Sequence, residues 1–350
     1  MAQQRKVNLK DVAKIAGVST ATVSTVINNR TGNIRVGKET RERILEALKE
    51  TGYVANPAAR GLAGAQNRII AVFTYNSVFP FAHRNFYYPF LLAIEESAEK
   101  NGYDLLFMTS ATGSDRRRSI YRGGSNRLWL ADGAILLGLE KNEEEIVRLV
   151  KENYPFVIIG HRQIAGVEPS YVAADYATAT AEIVSGLLRK GHRKIALIRV
   201  LQDSEPGSDR EIGFRKAFDD AGIELPKEFI RRIAPERISA AFLQELLQAG
   251  VTACVAESYS LAENLSTVAE LNSISIPEDI SIAALGGPKE NENSHRNWTT
   301  FITPAQDMAV NAFRMLLTLI DSPNEGPLRT TLPCRVIEGS TVAEPRKNAQ

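Results

Sequence analysis

Cysteine is nearly absent from this chain of 350 residues: there are two, Cys254 and Cys334, both in apolar, strand-like runs. A disulfide framework is therefore excluded, and two buried thiols in a reducing compartment are expected. The four histidines, His83, His161, His192 and His295, are scattered without metal-ligand spacing, so no metal is expected. Long hydrophobic runs are also missing. No stretch approaches the length of a membrane span, and the opening MAQQRKVNLKD has no apolar run able to act as an export signal. A cytoplasmic chain without a membrane partner follows as the expectation. No P-loop, nucleophile elbow or Ser-His-Asp order appears, so neither an enzyme nor a cofactor is expected. Gly191-His192-Arg193-Lys194 reads as a structural turn between helix and strand, and Arg116-Arg117-Arg118 as the basic opening of a surface helix.

An excess of charge of one sign is missing overall, since the net charge is +1. The distribution is uneven, however. Residues 1–65 carry eleven Lys and Arg against five Asp and Glu, a surplus of six that leaves the remainder at −5. A basic head on an acidic body favours a polyanion at one end only. The length exceeds one compact unit, so two or three domains are expected.

What is present is concentrated first in VNLKDVAKIAGVSTATVSTVIN, residues 7–28. Leu9, Val12, Ala13 and Ala16 repeat at helical spacing, and Val23, Val26 and Ile27 do so again after Gly17-Val18-Ser19. Gly17 can end the first helix in the left-handed region, and Ser19 can cap the second. So short a connection forces the helices to cross steeply, as in a helix-turn-helix. The second helix then turns small side chains outward: Thr20, Ala21, Thr22, Ser24 and Thr25. Such residues suit close approach to a major groove and its phosphates, although an ordinary helical hairpin would show the same spacing. Residues 38–51 (KETRERILEALKET) read as a third helix, with Ile44, Leu45 and Leu48 on the shared core.

Taken together, LKDVAKIAGVSTATVSTVIN and ETRERILEALKETGYVANPAARGLAG closely resemble the LacI/GalR family of bacterial transcription regulators, and the likeness continues to the C-terminus. The resemblance implies a homodimer binding double-stranded operator DNA, with a small-molecule effector (a sugar, sugar phosphate or other metabolite) in its core. It places Thr20, Ala21 and Thr25 against bases, and Ser19, Thr22, Ser24, Asn28, Tyr53 and Asn56 against phosphates. Residues 57–65 would be a hinge that folds only on DNA, where Ala59 and Arg60 approach the duplex and Leu62 wedges into the minor groove. Family members commonly carry Arg where this chain has Thr25, which removes a bidentate guanine contact, so the operator sequence does not carry over. Arg30 and Arg35, on a connection longer than usual, are either further backbone contacts or an unpaired surface loop.

Beyond residue 66, Val/Ile-rich runs alternate with amphipathic helices, which implies parallel sheets covered on both faces. The expected fold is thus an N-terminal all-α helix-turn-helix headpiece plus an α/β core. The core would hold two doubly wound parallel-sheet subdomains of the periplasmic-binding-protein-like type. The expected divisions are headpiece 1–56, hinge 57–65, core 66–343 and tail 344–350. The first subdomain would comprise about 67–163 plus 299–326, and the second about 168–297 plus 327–343. The resemblance implies three crossings between them, with Thr299–Thr303 returning to the first subdomain and Arg335–Glu338 to the second. A cleft at the carboxyl ends of the strands is the expected ligand site.

Around that cleft the family pattern is altered. Arg210, shortly before Gly213-Phe214, matches the arginine that usually holds the ligand. The usual Gly-Phe-Asp reads Ala284-Leu285-Gly286, the usual Asn-Asp reads Glu257-Ser258, and an expected Asp is Gly160, followed by His161 and Arg162. Missing carboxylates beside Arg210 and Arg162 point to an anionic or phosphorylated effector. Phe86, Tyr87 and Tyr88 either line the pocket or belong to the core. Three classes of function compete: a ligand-responsive repressor, a solute-binding protein on the same core, and an enzyme on a doubly wound scaffold. The first uses every feature. The second would lack residues 1–65, and no catalytic set supports the third.

Overall fold

A computed structural model describes residues 8–27, 36–51, 53, 66–75, 81–110, 118–138, 142–161, 163–287 and 296–346, with the side chains of 81–86 excepted. The headpiece holds α1 (Leu9–Ala16), α2 (Thr20–Ile27) and α3 (Lys38–Thr51). Asn8 caps α1 by accepting from Lys10 and Asp11 N–H, while Asp11 accepts the Asn8 N–H, closing a capping box. Gly17 ends that helix at φ 66°, and Ser19 Oγ accepts the Thr22 N–H at 3.2 Å to start the next. Val12, Ala13, Ala16, Val23, Val26, Ile44 and Ala47 form the buried core. Leu45, expected there, is 48% exposed. Ile44, Ala47 and Leu48 already complete the i, i+3, i+4 stripe, and Leu45 lies about 100° around the helix from Ile44.

The core is built on two sheets. The first runs β13-β7-β6-β5-β1-β2 and all its pairs are parallel. Its strands are β1 (Ile69–Phe73), β2 (Asp104–Met108), β5 (Gly133–Leu137), β6 (Phe156–Ile159), β7 (Tyr171–Asp175) and β13 (Arg329–Pro333). The second runs β14-β12-β11-β10-β8-β9, with β8 (Ile195–Arg199), β9 (Ile230–Arg232), β10 (Ala253–Ala256), β11 (Ser281–Ala284), β12 (Thr299–Ile302) and β14 (Arg335–Ile337). Only its last pair, β12 with β14, is antiparallel. A small hairpin, β3 (Tyr121–Arg122) and β4 (Ser125–Asn126), lies outside both. The helices are α4 (Phe81–Asn101), α5 (Glu143–Lys151), α6 (Tyr176–Arg189), α7 (Glu205–Asp220), α8 (Ala240–Gln248), α9 (Tyr259–Leu271) and α10 (Ala305–Asp321). None is long and apolar enough to cross a membrane among the described residues.

The chain passes between the sheets three times, as the resemblance implies, but three strands sit on the other side from the expectation. Thr299–Ile302 stays with the second sheet, pairing Ala283 with Thr299 and Ala284 with Thr300. The return to the first lobe is made by α10, and Arg329–Pro333 then joins β7 there. Cys334 is the crossing back to β14. Arg329–Pro333 was hard to place because it is an edge strand with alternating exposure and no continuous apolar run. Likewise β7, counted at the start of the second unit, belongs to the first sheet.

Arg116 and Arg117 lie outside the described residues. Arg118 opens no helix; burial lowers its pKa, and its Nη1 donates to the Thr74 carbonyl at 3.5 Å. The turn at Gly191–Lys194 is structural, since His192 is buried between the Thr252 hydroxyl and the Ala343 carbonyl, each at 2.8 Å. Both cysteines are unpaired, Cys254 buried and Cys334 partly so, and burial pushes both thiols up to about 12.

Candidate functional site

Two surfaces collect the residues singled out by sequence. On α2, Val23 and Val26 point into the headpiece core, so Ser19, Thr20 and Ala21 are exposed and Thr22, Ser24 and Thr25 half-buried on the opposite side. The hydroxyls are partly committed. Ser19 and Thr22 share a bond of 2.9 Å, and Thr25 Oγ1 donates to the Ala21 carbonyl at 3.0 Å, as mid-helix threonines do. Tyr53 packs half-buried on the headpiece core. Asn28, Arg30, Arg35, Asn56, Ala59, Arg60 and Leu62 lie outside the described residues, as do Arg162 and the Phe86 side chain.

The second surface is a narrow cleft, partly open to solvent, between the two sheets. Its first-lobe wall is the carboxyl end of β5 and β6, with Leu137, Gly138, Ile159, Gly160 and His161. The facing wall is the first turns of α7, with Glu205, Pro206 and Asp209; Phe90 of α4, Tyr176 of α6 and Met308 of α10 complete it. Burial raises the Asp209 carboxyl above its usual pKa; His161, from the other lobe, opposes that shift and Glu205 adds to it. The walls are mainly apolar with a few polar groups converging, the usual character of a small-molecule site. Among the described residues no group of His, Cys, Asp and Glu could hold a metal ion.

The expected effector residues divide in this frame. The Arg210 guanidinium lies over the Tyr176 ring at 4.5 Å and nears Phe301 at 5.8 Å, and its buried Nε has no hydrogen-bond partner. A Cβ on Gly286 would come within 4.0 Å of Arg210 Nη2, so these two lie together beside the cleft. Glu257 is not available to a ligand: it is 4% exposed and accepts from Arg199 Nε at 3.3 Å and from the Val200 N–H at 3.1 Å. Tyr87 is a core residue at 4% exposure, while Tyr88 is 56% exposed. Sequence reasoning missed Phe90, His161, Tyr176, Glu205, Asp209 and Met308 as lining. For Glu205 and Asp209 a signal existed. Ser204 followed by Glu205-Pro206 is a helix start, and Ser204 Oγ accepts the Gly207 N–H at 3.2 Å, which puts the helix five residues before the expected Arg210.

Residues 8–56 match the family described as bacterial regulatory proteins, lacI family, and residues 184–342 match the periplasmic binding protein-like domain. Both matches occur in one chain, in the order that the two surfaces require. The chain pairs a lacI-family headpiece with a periplasmic binding protein-like core. Relatives in this family align along almost their whole length. The HTH-type transcriptional regulator CelR of Thermobifida fusca is 28% identical, covering 95% of this chain and 97% of its own. Catabolite control protein A of Priestia megaterium is 25% identical over 94% and 97% of the two chains. The HTH-type transcriptional repressor PurR of Erwinia tasmaniensis is 28% identical over 96% and 97%. Among solved structures, the lac repressor dimer bound to operator and the anti-inducer ONPF superimposes with a TM-score of 0.70 at 22% identity, covering 97% of this chain and all of that one. A CelR–cellobiose complex does so at 0.64 and 24% identity, covering 96% and 99%. LacI-family relatives are transcriptional regulators and not enzymes.

Proposed function

We propose that this chain is a repressor that binds a twofold-symmetric operator as a homodimer and is controlled by a small molecule in the cleft. The observation that supports it best is the pairing, in one chain, of a lacI headpiece with a two-lobed α/β core that encloses an apolar-walled cavity. In this reading residues 1–56 are the DNA-binding domain and 57–65 a hinge. Ser19, Thr20, Ala21, Thr22, Ser24, Thr25, Asn28 and Arg30 meet the duplex, as do Tyr53, Asn56, Ala59, Arg60 and Leu62. Two headpieces then address two half-sites one or more helical turns apart. The chain works in the cytoplasm, where its operator is.

The effector is a compact, hydroxyl-bearing molecule. Glu205 and Asp209 bring carboxylates to the cleft by a route that the altered positions 160 and 286 did not reveal, and carboxylates accept from hydroxyls. The same two carboxylates repel an anion, which argues against the anionic effector expected from the sequence. Arg210, Gly286 and the Tyr87 region border the site, with Arg162 and Phe86 as further candidates. Occupation changes the relation of the lobes, and the difference in affinity between the two forms sets how far DNA binding moves. The reading of the same core as a plain solute-binding protein loses its basis, because the headpiece match covers residues 8–56.

Fluorescence anisotropy of the full chain on its own upstream DNA tests this, with monosaccharides, disaccharides, sugar phosphates and nucleobases added in turn. One of the uncharged sugars should change the affinity, and Asp209→Asn should weaken that response while leaving ligand-free DNA binding intact. A response confined to sugar phosphates would reject the effector class. Absence of sequence-selective DNA binding would reject the regulator itself.

A further inference from the structure

Arg199, at the carboxyl end of β8, is among the most deeply buried large side chains of the protein, with its side chain 2% exposed. A buried guanidinium is tolerated only when its charge is matched and its N–H groups are used. Here three carboxylates from three different segments converge on it. Glu257, just after β10, accepts from Nε at 3.3 Å. Glu211 of α7 accepts from Nη1, and Asp203 of the β8–α7 connection lies 3.6 Å from Nη2. Two further arginines close the network. Arg232 of β9 binds Asp203 and comes within 3.9 Å of Glu211, and Arg215 holds Glu211 at 2.8 Å. Three positive and three negative groups therefore tie the ends of β8, β9 and β10 to one helix.

That helix is the one that walls the cleft. Gly207 of α7 rests directly on the ion pair: a Cβ there would stand 2.4 Å from Glu257 Oε1 and 2.7 Å from Arg199 Nη2. Gly207 and Glu211 are four residues apart and so share one face of α7. Glu205 and Asp209, offset from them by two residues, share the opposite face, and both line the cavity. The face pinned by Arg199 thus determines which face the cavity receives. Arg210 adjoins Glu211, so the same contact holds its guanidinium on Tyr176.

We infer that Arg199 is a positioning residue for the ligand-facing helix: by holding Gly207 and Glu211 it turns Asp209 into the cleft and seats Arg210 on Tyr176. The same network keeps Glu257 away from the cavity, since its carboxylate is held by Arg199 and the Val200 N–H. The functional consequence rests on the effector reading given above, but the geometry can be tested without any ligand or DNA.

The test is the side-chain Nε–H resonance of Arg210 in the full chain, labelled with 15N-arginine and assigned by its loss in Arg210→Lys. Stacking on Tyr176 should displace it from the envelope of exposed arginines. In Arg199→Met it should collapse into that envelope. Because Arg199→Met leaves buried carboxylates without a partner and can unfold the lobe, a second variant, Arg199→Met/Glu257→Leu/Glu211→Gln, removes them. It should recover the melting temperature of the wild type and still lack the displaced resonance. A role in stability alone would return both together. If the Arg210 resonance keeps its displaced position in either variant, Arg199 does not position the helix. Failure of DNA binding, by contrast, would leave this result untouched and would count against the regulatory reading.

Discussion

His192 has both ring nitrogens engaged: Nε2 can only donate to the Ala343 carbonyl, which leaves Nδ1 to accept from the Thr252 hydroxyl. This is the neutral ring, and burial accordingly lowers its pKa. In the unfolded chain histidine titrates near 6.5, so below that value the unfolded state binds the extra proton first. The stability due to a neutral His192 is therefore complete above about pH 6.5 and lost as pH falls through the lower folded-state value. His192→Asn should melt lower than wild type at pH 8 yet lose less stability on acidification to pH 5, as read by thermal unfolding across pH. On the outward face of α2, Thr25 turns its hydroxyl back to Ala21 and so offers a methyl group and no fork of donors. Thr25→Arg should add a preference for guanine of about 1–3 kcal/mol at one half-site position, measurable by selection from randomised half-sites. Residues such as these were legible in the sequence because α2 is short and its two buried valines settle its face. The cleft was less legible. Its polar groups depend on which face of one helix meets the other lobe, and no residue motif states that.

At the scale of elements, spacing alone put Leu45 of α3 in the core beside Ile44, whereas it is exposed. Ile44 and Leu45 are adjacent and equally apolar, and only packing against α1 separates a buried from an exposed position. Ile44→Ala should therefore cost about 2–5 kcal/mol, and Leu45→Gln less than about 0.5 kcal/mol. Amide exchange of α1–α3 in the full chain reads both. Elements buried on two faces were found readily, since β5, β6, β8, β10 and β11 are continuously buried and almost wholly apolar runs. The strands that lie on the other sheet from the expectation are β7, β12 and β13, of which only β13 is an edge. Arg329–Pro333 alternates at an edge, and α7 begins five residues before Arg210 because a capping serine, not an apolar repeat, opens it. The start of α7 bears on function, because this helix supplies Glu205 and Asp209 to the cleft.

For the molecule as a whole, a basic head carrying a surplus of six charges is joined to a body of net charge −5. Such a head attracts any duplex through its phosphates, and this attraction weakens with salt. In the proposed reading, selectivity comes from base contacts made by two heads held at a fixed separation, and regulation from whatever alters that separation. Coupling of this kind is typically about 1–3 kcal/mol, or roughly 5- to 150-fold in affinity. The decisive measurement is a titration of the full chain against its own upstream DNA and a random duplex of equal length. It is made at physiological salt, with and without uncharged sugars. The account predicts saturable binding to a twofold-symmetric site well above the random duplex, with at least one sugar moving that affinity within the stated range. Equal binding to both duplexes, unchanged by every sugar, would contradict it.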